Sequence, residues 1–326
     1  MRTDRQRMRI IARALVFAAV AVSGAAPAHA QSYPSRSIEM IVPFPAGSIT
    51  DTLARAMQSE FSRALGQTVN IANKDGGLGT LGMIDLARAA PDGYTIAFTS
   101  TNPLSAQPHV QKVPYGTASF RHICLAYHAP LVLVAGLQAP FKTAEELVES
   151  ARAKPESLVY GYPGVATQQH LGMLAVLKAI GANGRGVSFA SGAAALRALF
   201  DGSVMTMVET PAVAPATDFP VLAALSEERM QALPDVRTLK ELGYAATAFI
   251  AGGLVAPANI PAAAAGALEK ACAAATASPE YKTMAGRLNI QPRYLSGEDF
   301  RKLVEKEWAE TGEIIARAGL AGAKQE

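Results

Sequence analysis

Short apolar runs alternate with amphipathic stretches of helical spacing, and the alternation occurs twice along the chain. Ile38 to Val42 is a β-branched and apolar run that reads as a buried strand. Leu53, Met57, Phe61 and Leu65 then recur at helical spacing. Val69 to Ala72 predicts a second strand, Leu81 to Ala90 a second helix and Tyr94 to Thr99 a third strand. The pattern restarts at Leu131 to Ala135. A helix follows over Ala144 to Lys154, with Thr143 and Glu146 spaced as a capping box. Leu158 to Tyr160, Gln168 to Ile180, Val187 to Phe189, Ala193 to Phe200 and Val204 to Val208 continue as strand, helix, strand, helix, strand. The tail from Pro261 is Ala-rich and helical, and Ser296 to Asp299 opens a last helix. Such alternation implies α/β architecture, with mostly parallel sheets flanked by helices. Two units are expected, residues 31–128 with 244–326, and residues 129–243. No low-complexity linker separates them, so crossing strands are expected to join them.

The first thirty residues stand apart. Arg2, Arg5, Arg7 and Arg9 make a basic start, Ala14 to Val22 is uninterrupted apolar sequence, and Ala28-His29-Ala30 fits a small-x-small cleavage site. That is the pattern of a secretory signal peptide, over residues 1–30. The apolar run is shorter than the ~20 residues a membrane-spanning helix needs. The net charge of +3 owes much to this segment. The rest is nearly neutral, which gives no reason to expect nucleic acid or a membrane surface as partner. Cys124 and Cys272 are the two cysteines and form no CxxC. An oxidising compartment permits a disulfide between them, and a buried thiol pair is an equal alternative.

Gly77-Leu78-Gly79-Thr80-Leu81-Gly82 matches GxGxxG between a strand and a helix. A dinucleotide site would need an acid at the end of the next strand, which instead ends Phe98-Thr99-Ser100-Thr101. A glycine-rich turn is the simpler reading, and no cofactor is expected. His109, His122, His128 and His170 make no metal-ligand spacing. His122, Cys124 and His128 share a face if that stretch is extended, which raises a thiol–imidazole pair against chance alternation. Ser48 lies in no GxSxG elbow.

The loop "VPFPAGSITD", residues 42–51, carries hydroxyls, a glycine and a carboxylate but no lysine or arginine. Ser48 to Asp51 fits a capping box, and Thr167 can cap the helix carrying His170. A helix N-terminus preceded by glycine and hydroxyls also offers free N–H groups and a positive dipole end to an anion. One such loop from each unit, facing across a cleft, would hold a carboxylate without a basic side chain.

Several blocks carry a resemblance that covers nearly the whole chain after residue 30. They are "YPSRSIEMIVPFPAGSITDTLAR", "ANKDGGLGTLG", "APDGYTIAF", "YGYPGVATQQHLG", "ALPDVRTLKELG" and "GGLVAPANIP". Together they resemble the substrate-binding proteins of tripartite tricarboxylate transporters, the Bug receptors. The resemblance implies a two-domain periplasmic-binding-protein (Venus-flytrap) fold and a periplasmic, non-enzymatic monomer. It implies a small organic acid ligand and transient delivery to integral-membrane transporter subunits. The implied ligand loops are Phe44 to Asp51, with Ala46, Gly47, Ser48, Ile49 and Thr50, and Gly164 to His170, with Val165, Ala166 and Thr167. Ser100, Phe189, Ser191 and Glu209 complete the candidate set. The chain departs from the family pattern at Ser48, where a second glycine is usual, and at Phe189 and Ala190, which lack a hydroxyl and a charge. Glu209 stands where aspartate is common. The segment from Val204 to Leu225 is shorter than usual. A secreted α/β hydrolase-like enzyme and a receptor serving a sensor kinase are the alternative readings.

Overall fold

The structure, a computed structural model, describes residues 33–154 and 156–322. The expected signal peptide lies outside the described residues. The strands in chain order are β1 (Ile38–Val42), β2 (Val69–Asn73), β3 (Thr95–Ser100), β4 (Phe120–Pro130), β5 (Val132–Ala135), β6 (Val159–Tyr162), β7 (Arg185–Ser188), β8 (Thr206–Glu209), β9 (Val221–Ala224), β10 (Phe249–Pro257) and β11 (Gln291–Ser296). The longer helices are α1 (Ile49–Leu65), α2 (Thr80–Arg88), α3 (Ala144–Ala153), α4 (Gln168–Ile180), α5 (Gly192–Phe200), α6 (Ala262–Ala277), α7 (Pro279–Arg287) and α8 (Gly297–Arg317).

Two sheets form, in the orders β11-β4-β10-β3-β1-β2 and β7-β6-β8-β5-β9. Both are mixed. In the first, β1 pairs in parallel with β2 and β3, while β10 and β11 pair antiparallel. In the second, β6 pairs in parallel with β7 and β8, while β5 pairs antiparallel with β8 and β9. The strand–helix–strand units supply the parallel half of each sheet, as the alternation predicts. The antiparallel half comes from strands the alternation does not signal, chiefly β4, β10 and β11.

Strand pleat divides each core in two. Met40 on β1 packs with Leu53, Met57 and Phe61 of α1 and Leu268 of α6. Its neighbour Ile41 faces the opposite way, with Met83 of α2 and Phe300 and Val304 of α8. The second sheet is covered likewise: Leu133 faces Leu147 and Val176, and Val134 faces Ala195 and Leu199.

The sheets are joined where β4 runs on into β5 and β10 returns beside it. Leu131 N–H donates to Ala248 O at 2.8 Å, Ala248 N–H to Leu225 O at 3.0 Å and Leu225 N–H to Leu131 O at 2.8 Å. Two extended strands, hydrogen-bonded side by side, are a connection that bends without unravelling. Cys124 of β4 and Cys272 of α6 form a disulfide, with Cα atoms 6.6 Å apart.

The thiol–imidazole pair does not form. β4 is extended, but its pairing with β10 slips between His122 and Cys124. Cys124 therefore joins α6 on one face, while His122 meets the Phe300 ring edge-on at 5.0 Å. His128 stacks on Phe249 at 4.6 Å. Among the described residues no helix is long and apolar enough to cross a membrane.

Candidate functional site

The first loop turns between β1 and α1 on Gly47, whose φ of +82° suits glycine. Ser48 caps α1, its Oγ accepting from Asp51 N–H at 3.2 Å. Asp51 is buried and turned into its own loop. It accepts from Gly47 N–H at 2.9 Å, from Asn73 Nδ2 at 2.8 Å and from Arg55 Nε at 3.0 Å. Burial opposes ionisation here, but those donors hold the carboxyl below its ordinary value. Helix geometry leaves the first-turn N–H groups of Ile49 and Thr50 without intrahelical acceptors.

The second loop repeats the device. Thr167 caps α4 by accepting from His170 N–H at 3.3 Å, and its hydroxyl donates to Gly164 O at 3.0 Å. Ala166 sits at φ +56°, a left-handed conformation that costs a non-glycine residue energy. It is held there: His170 Nδ1 accepts its N–H at 3.1 Å and Asn102 Nδ2 donates to its carbonyl at 2.8 Å. His170 stacks on Tyr162 at 3.7 Å, and burial pushes its imidazole down to about 4. It is neutral and supports the loop from behind.

Both loops face one cleft of about 380 Å³, to which the first turn of α5, at Gly192, also contributes. Three helix N-termini, each with a Ser or Thr cap accepting from the third residue on, thus converge on one cavity. The other walls combine the apolar Phe44, Ile49, Leu78, Pro163, Ile250 and Ala251 with the polar Ser100, Asn102, Tyr127 and Thr210. Among the described residues no lysine, arginine, histidine or cysteine lines the cleft. Its one carboxylate, Glu209, is buried and accepts from Thr210 N–H at 2.7 Å. Burial pushes the Glu209 carboxyl up, against hydrogen bonds from Thr210 and Gln169. A larger groove, of about 520 Å³, runs between α4 and α8 past Lys178, Glu313 and Arg317. No helix N-terminus opens into it, so the interdomain cleft is the better ligand site on chemistry.

Of the residues expected from sequence, Phe44, Ser48, Ile49, Thr50, Ser100, Thr167 and Glu209 line the cleft. Ala46 and Gly47 are exposed at the loop tip, and Asp51 points inward. Gly164, Val165 and Ala166 shape the second loop and face the first unit, where Gln107 and Asn102 reach the carbonyls of Val165 and Ala166. Phe189 turns into the core of the second sheet, and Ser191 caps α5 at the surface. Leu78, Asn102, Tyr127, Gln168, Gln169 and Thr210 line the cleft without having been expected. Gln168 and Gln169 were findable, since they follow a recognisable cap. Tyr127, whose hydroxyl lies 3.3 Å from that of Thr50, arrives on a strand with no local signal. The GxGxxG stretch forms a tight turn with Leu78 at φ +55°, and Gly82 packs so closely on Pro43 and the Lys74 carbonyl that a Cβ would clash. The glycines serve packing.

Residues 53–320 match the tripartite tricarboxylate transporter family receptor. The chain is 32% identical to the UPF0065 protein in the gbd 5' region of Cupriavidus necator, over 98% of this chain and 100% of that one. It is 31% identical to protein BugT of Bordetella pertussis, over 69% of this chain and 72% of the relative. Among solved structures, a TctC solute binding protein from Polaromonas superposes with a TM-score of 0.75 at 28% identity, covering 87% of this chain and 99% of that one. MatC from Rhodopseudomonas palustris, with bound malate, superposes with a TM-score of 0.73 at 26% identity, covering 87% and 100%. The fold is that of a two-domain periplasmic binding protein, and the chain belongs to the tripartite tricarboxylate transporter receptor family. It is a solute-binding receptor of the Bug type, not an enzyme.

Proposed function

We propose that the protein is exported to the periplasm, captures a small organic carboxylate in the cleft and delivers it, as a monomer, to the membrane subunits of a tripartite transporter. Its domains are taken as residues 31–128 with 244–326, and residues 129–243. The observation that carries this reading is the convergence of three capped helix N-termini on a cavity with no basic lining residue. A buried carboxylate must be satisfied, and hydrogen bonds to a charged group contribute roughly 1.5–3 kcal/mol each. The N–H groups of Ile49, Thr50, Gln168 and Gln169 and the hydroxyls of Ser48 and Thr50 can supply them, while the Thr167 hydroxyl is spent on Gly164 O. MatC with bound malate shows that a relative of this fold holds such an acid.

Glu209 narrows the ligand. A second or third carboxylate beside it would be repelled, whereas an amino, amide or hydroxyl group would be accepted. A singly charged acid with a polar body lying against Phe44 and Ile250 fits better than citrate. A thermal-shift screen over mono-, di- and tricarboxylates tests this. At a hundredfold excess over Kd, a true ligand stabilises by about 2.7 kcal/mol, a shift of several degrees. Stabilisation by a tricarboxylate far beyond every monoacid would refute the role given to Glu209. Stabilisation only by uncharged solutes would refute the carboxylate reading.

A further inference from the structure

Behind the cleft a second carboxylate is buried where the two units meet. Glu307 of α8 is 5% exposed. Its Oε1 accepts from Thr101 Oγ1 at 3.0 Å and from Gln168 Nε2, the side chain of the first residue of α4. Thr101 stands on the first unit beside β3, and Gln168 lines the cleft in the second. Oε2 has no hydrogen-bond partner. Among the described residues no cation compensates it. The ionisable groups facing it are Glu310 on its own helix and the Tyr127 hydroxyl from β4, while Lys306 is exposed and pairs with Glu310 at 3.7 Å. Thr101 and Ser105, from the segment after β3, and Gln168 are uncharged. A cation-free buried carboxylate with an idle oxygen contributes little to stability that an apolar residue would not. Its position, spanning the two units at the first turn of a cleft-lining helix, gives it a use.

We propose that Glu307 is a positioning residue for the cleft: it ties the first unit to Gln168, and gaining or losing its proton sets how firmly the units are held together there. Its consequence for ligand capture rests on the receptor reading above, but the bridge itself does not. While bridged, Glu307 is desolvated, and burial pushes its carboxyl up to about 7, against the hydrogen bonds from Thr101 and Gln168. If the units part there, water reaches it and the ordinary value of 4.5 returns. The bridged state therefore binds more protons between those values, and acidification favours it. The ratio of bridged to parted states rises about 20-fold from pH 7.5 to 5.5, and levels off below about pH 4.5.

The test needs no ligand. In ¹⁵N-labelled protein, the Gln168 side-chain amide signal is assigned by its loss in Gln168→Ala and followed from pH 5 to 8.5. It is expected to move with a midpoint near 7 in the wild type, and to stay fixed in Glu307→Gln, which keeps an acceptor but cannot ionise. Thr101→Val removes one donor that favours the charged form, so its midpoint moves up. That variant carries the test if Glu307→Gln fails to fold. A Gln168 signal that does not move in the wild type, moves unchanged in Glu307→Gln, or keeps its midpoint in Thr101→Val overturns the proposal. Failure of the acid screen would leave these titrations as they are, so the two readings fail separately.

Discussion

Asp51 offers the sharpest test of how the first ligand loop is built. Its carboxylate holds Gly47 N–H at 2.9 Å, Asn73 Nδ2 at 2.8 Å and Arg55 Nε at 3.0 Å. Asn73 also donates to Phe44 O at 3.0 Å, so the network pins both the loop and its cleft-lining phenylalanine. Replacing Asp51 by Ala strands two partly buried donors. Hydrogen bonds to a charged acceptor are worth about 1.5–3 kcal/mol each. The Arg55 side chain is 49% exposed, so its pairing adds less than ~1 kcal/mol. Neighbouring losses are not additive, and Asp51→Ala should cost about 3 kcal/mol. Asp51→Asn keeps one acceptor but turns an amide toward Gly47 and Arg55, and should cost about 2 kcal/mol.

The pH dependence follows from the sign of the shift. The carboxyl is held below its ordinary 3.8, so the folded state keeps the charge longer than the unfolded one. Its contribution is complete above about pH 4 and is lost as pH falls through the folded value. Urea unfolding of the three proteins at pH 7 and pH 3 measures this. The difference between wild type and Asp51→Asn should shrink at the lower pH with the m-value unchanged. A cost under 1 kcal/mol for Asp51→Ala at pH 7, or an undiminished difference at pH 3, would refute the reasoning.

The remaining predictions are independent of that loop. Replacing Cys124 and Cys272 together by Ser should cost about 2–5 kcal/mol, because the bond closes a long loop of sequence separation 148; equal stability with and without reductant would contradict it. Small-angle scattering should give a smaller radius of gyration with a bound acid, as the units close about the paired segments at 131 and 248. An unchanged radius at saturation counts against hinge closure. Secreted protein should begin at or near Gln31 on N-terminal sequencing, and a retained Met1 would remove the export proposal.

What the chain reveals of itself divides along a physical line. Elements whose evidence is local were readable: the apolar run of β1, the helical spacing of Leu53, Met57, Phe61 and Leu65, and the caps at Ser48, Thr143, Thr167 and Ser296. These depend on neighbours a few residues away. β4 and β10 were not assigned. Both are buried on each face and carry no period-two alternation, and they pair with each other across more than a hundred residues. The site divides the same way. The cap residues and first turns were readable, because a helix N-terminus announces itself. Tyr127, Asn102 and Ile250 reach the cleft through tertiary pairing alone. Phe189, offered by the resemblance, continues the pairing beside β6, its N–H donating to Tyr162 O at 2.9 Å, and packs with Val187 on the core of the second sheet, a placement no local signal announces. His170 was placed on the right loop, but its ring is taken by Tyr162 and the Ala166 N–H.

The central claim is that helix N-termini and hydroxyls hold the ligand carboxylate. A crystal structure with the most stabilising acid from the screen tests it most directly. The account predicts carboxylate oxygens within about 3.2 Å of first-turn N–H groups at Ile49 or Thr50 and at Gln168 or Gln169, with no basic side chain in contact. A carboxylate paired with a lysine or arginine, or seated in the groove between α4 and α8, would contradict it.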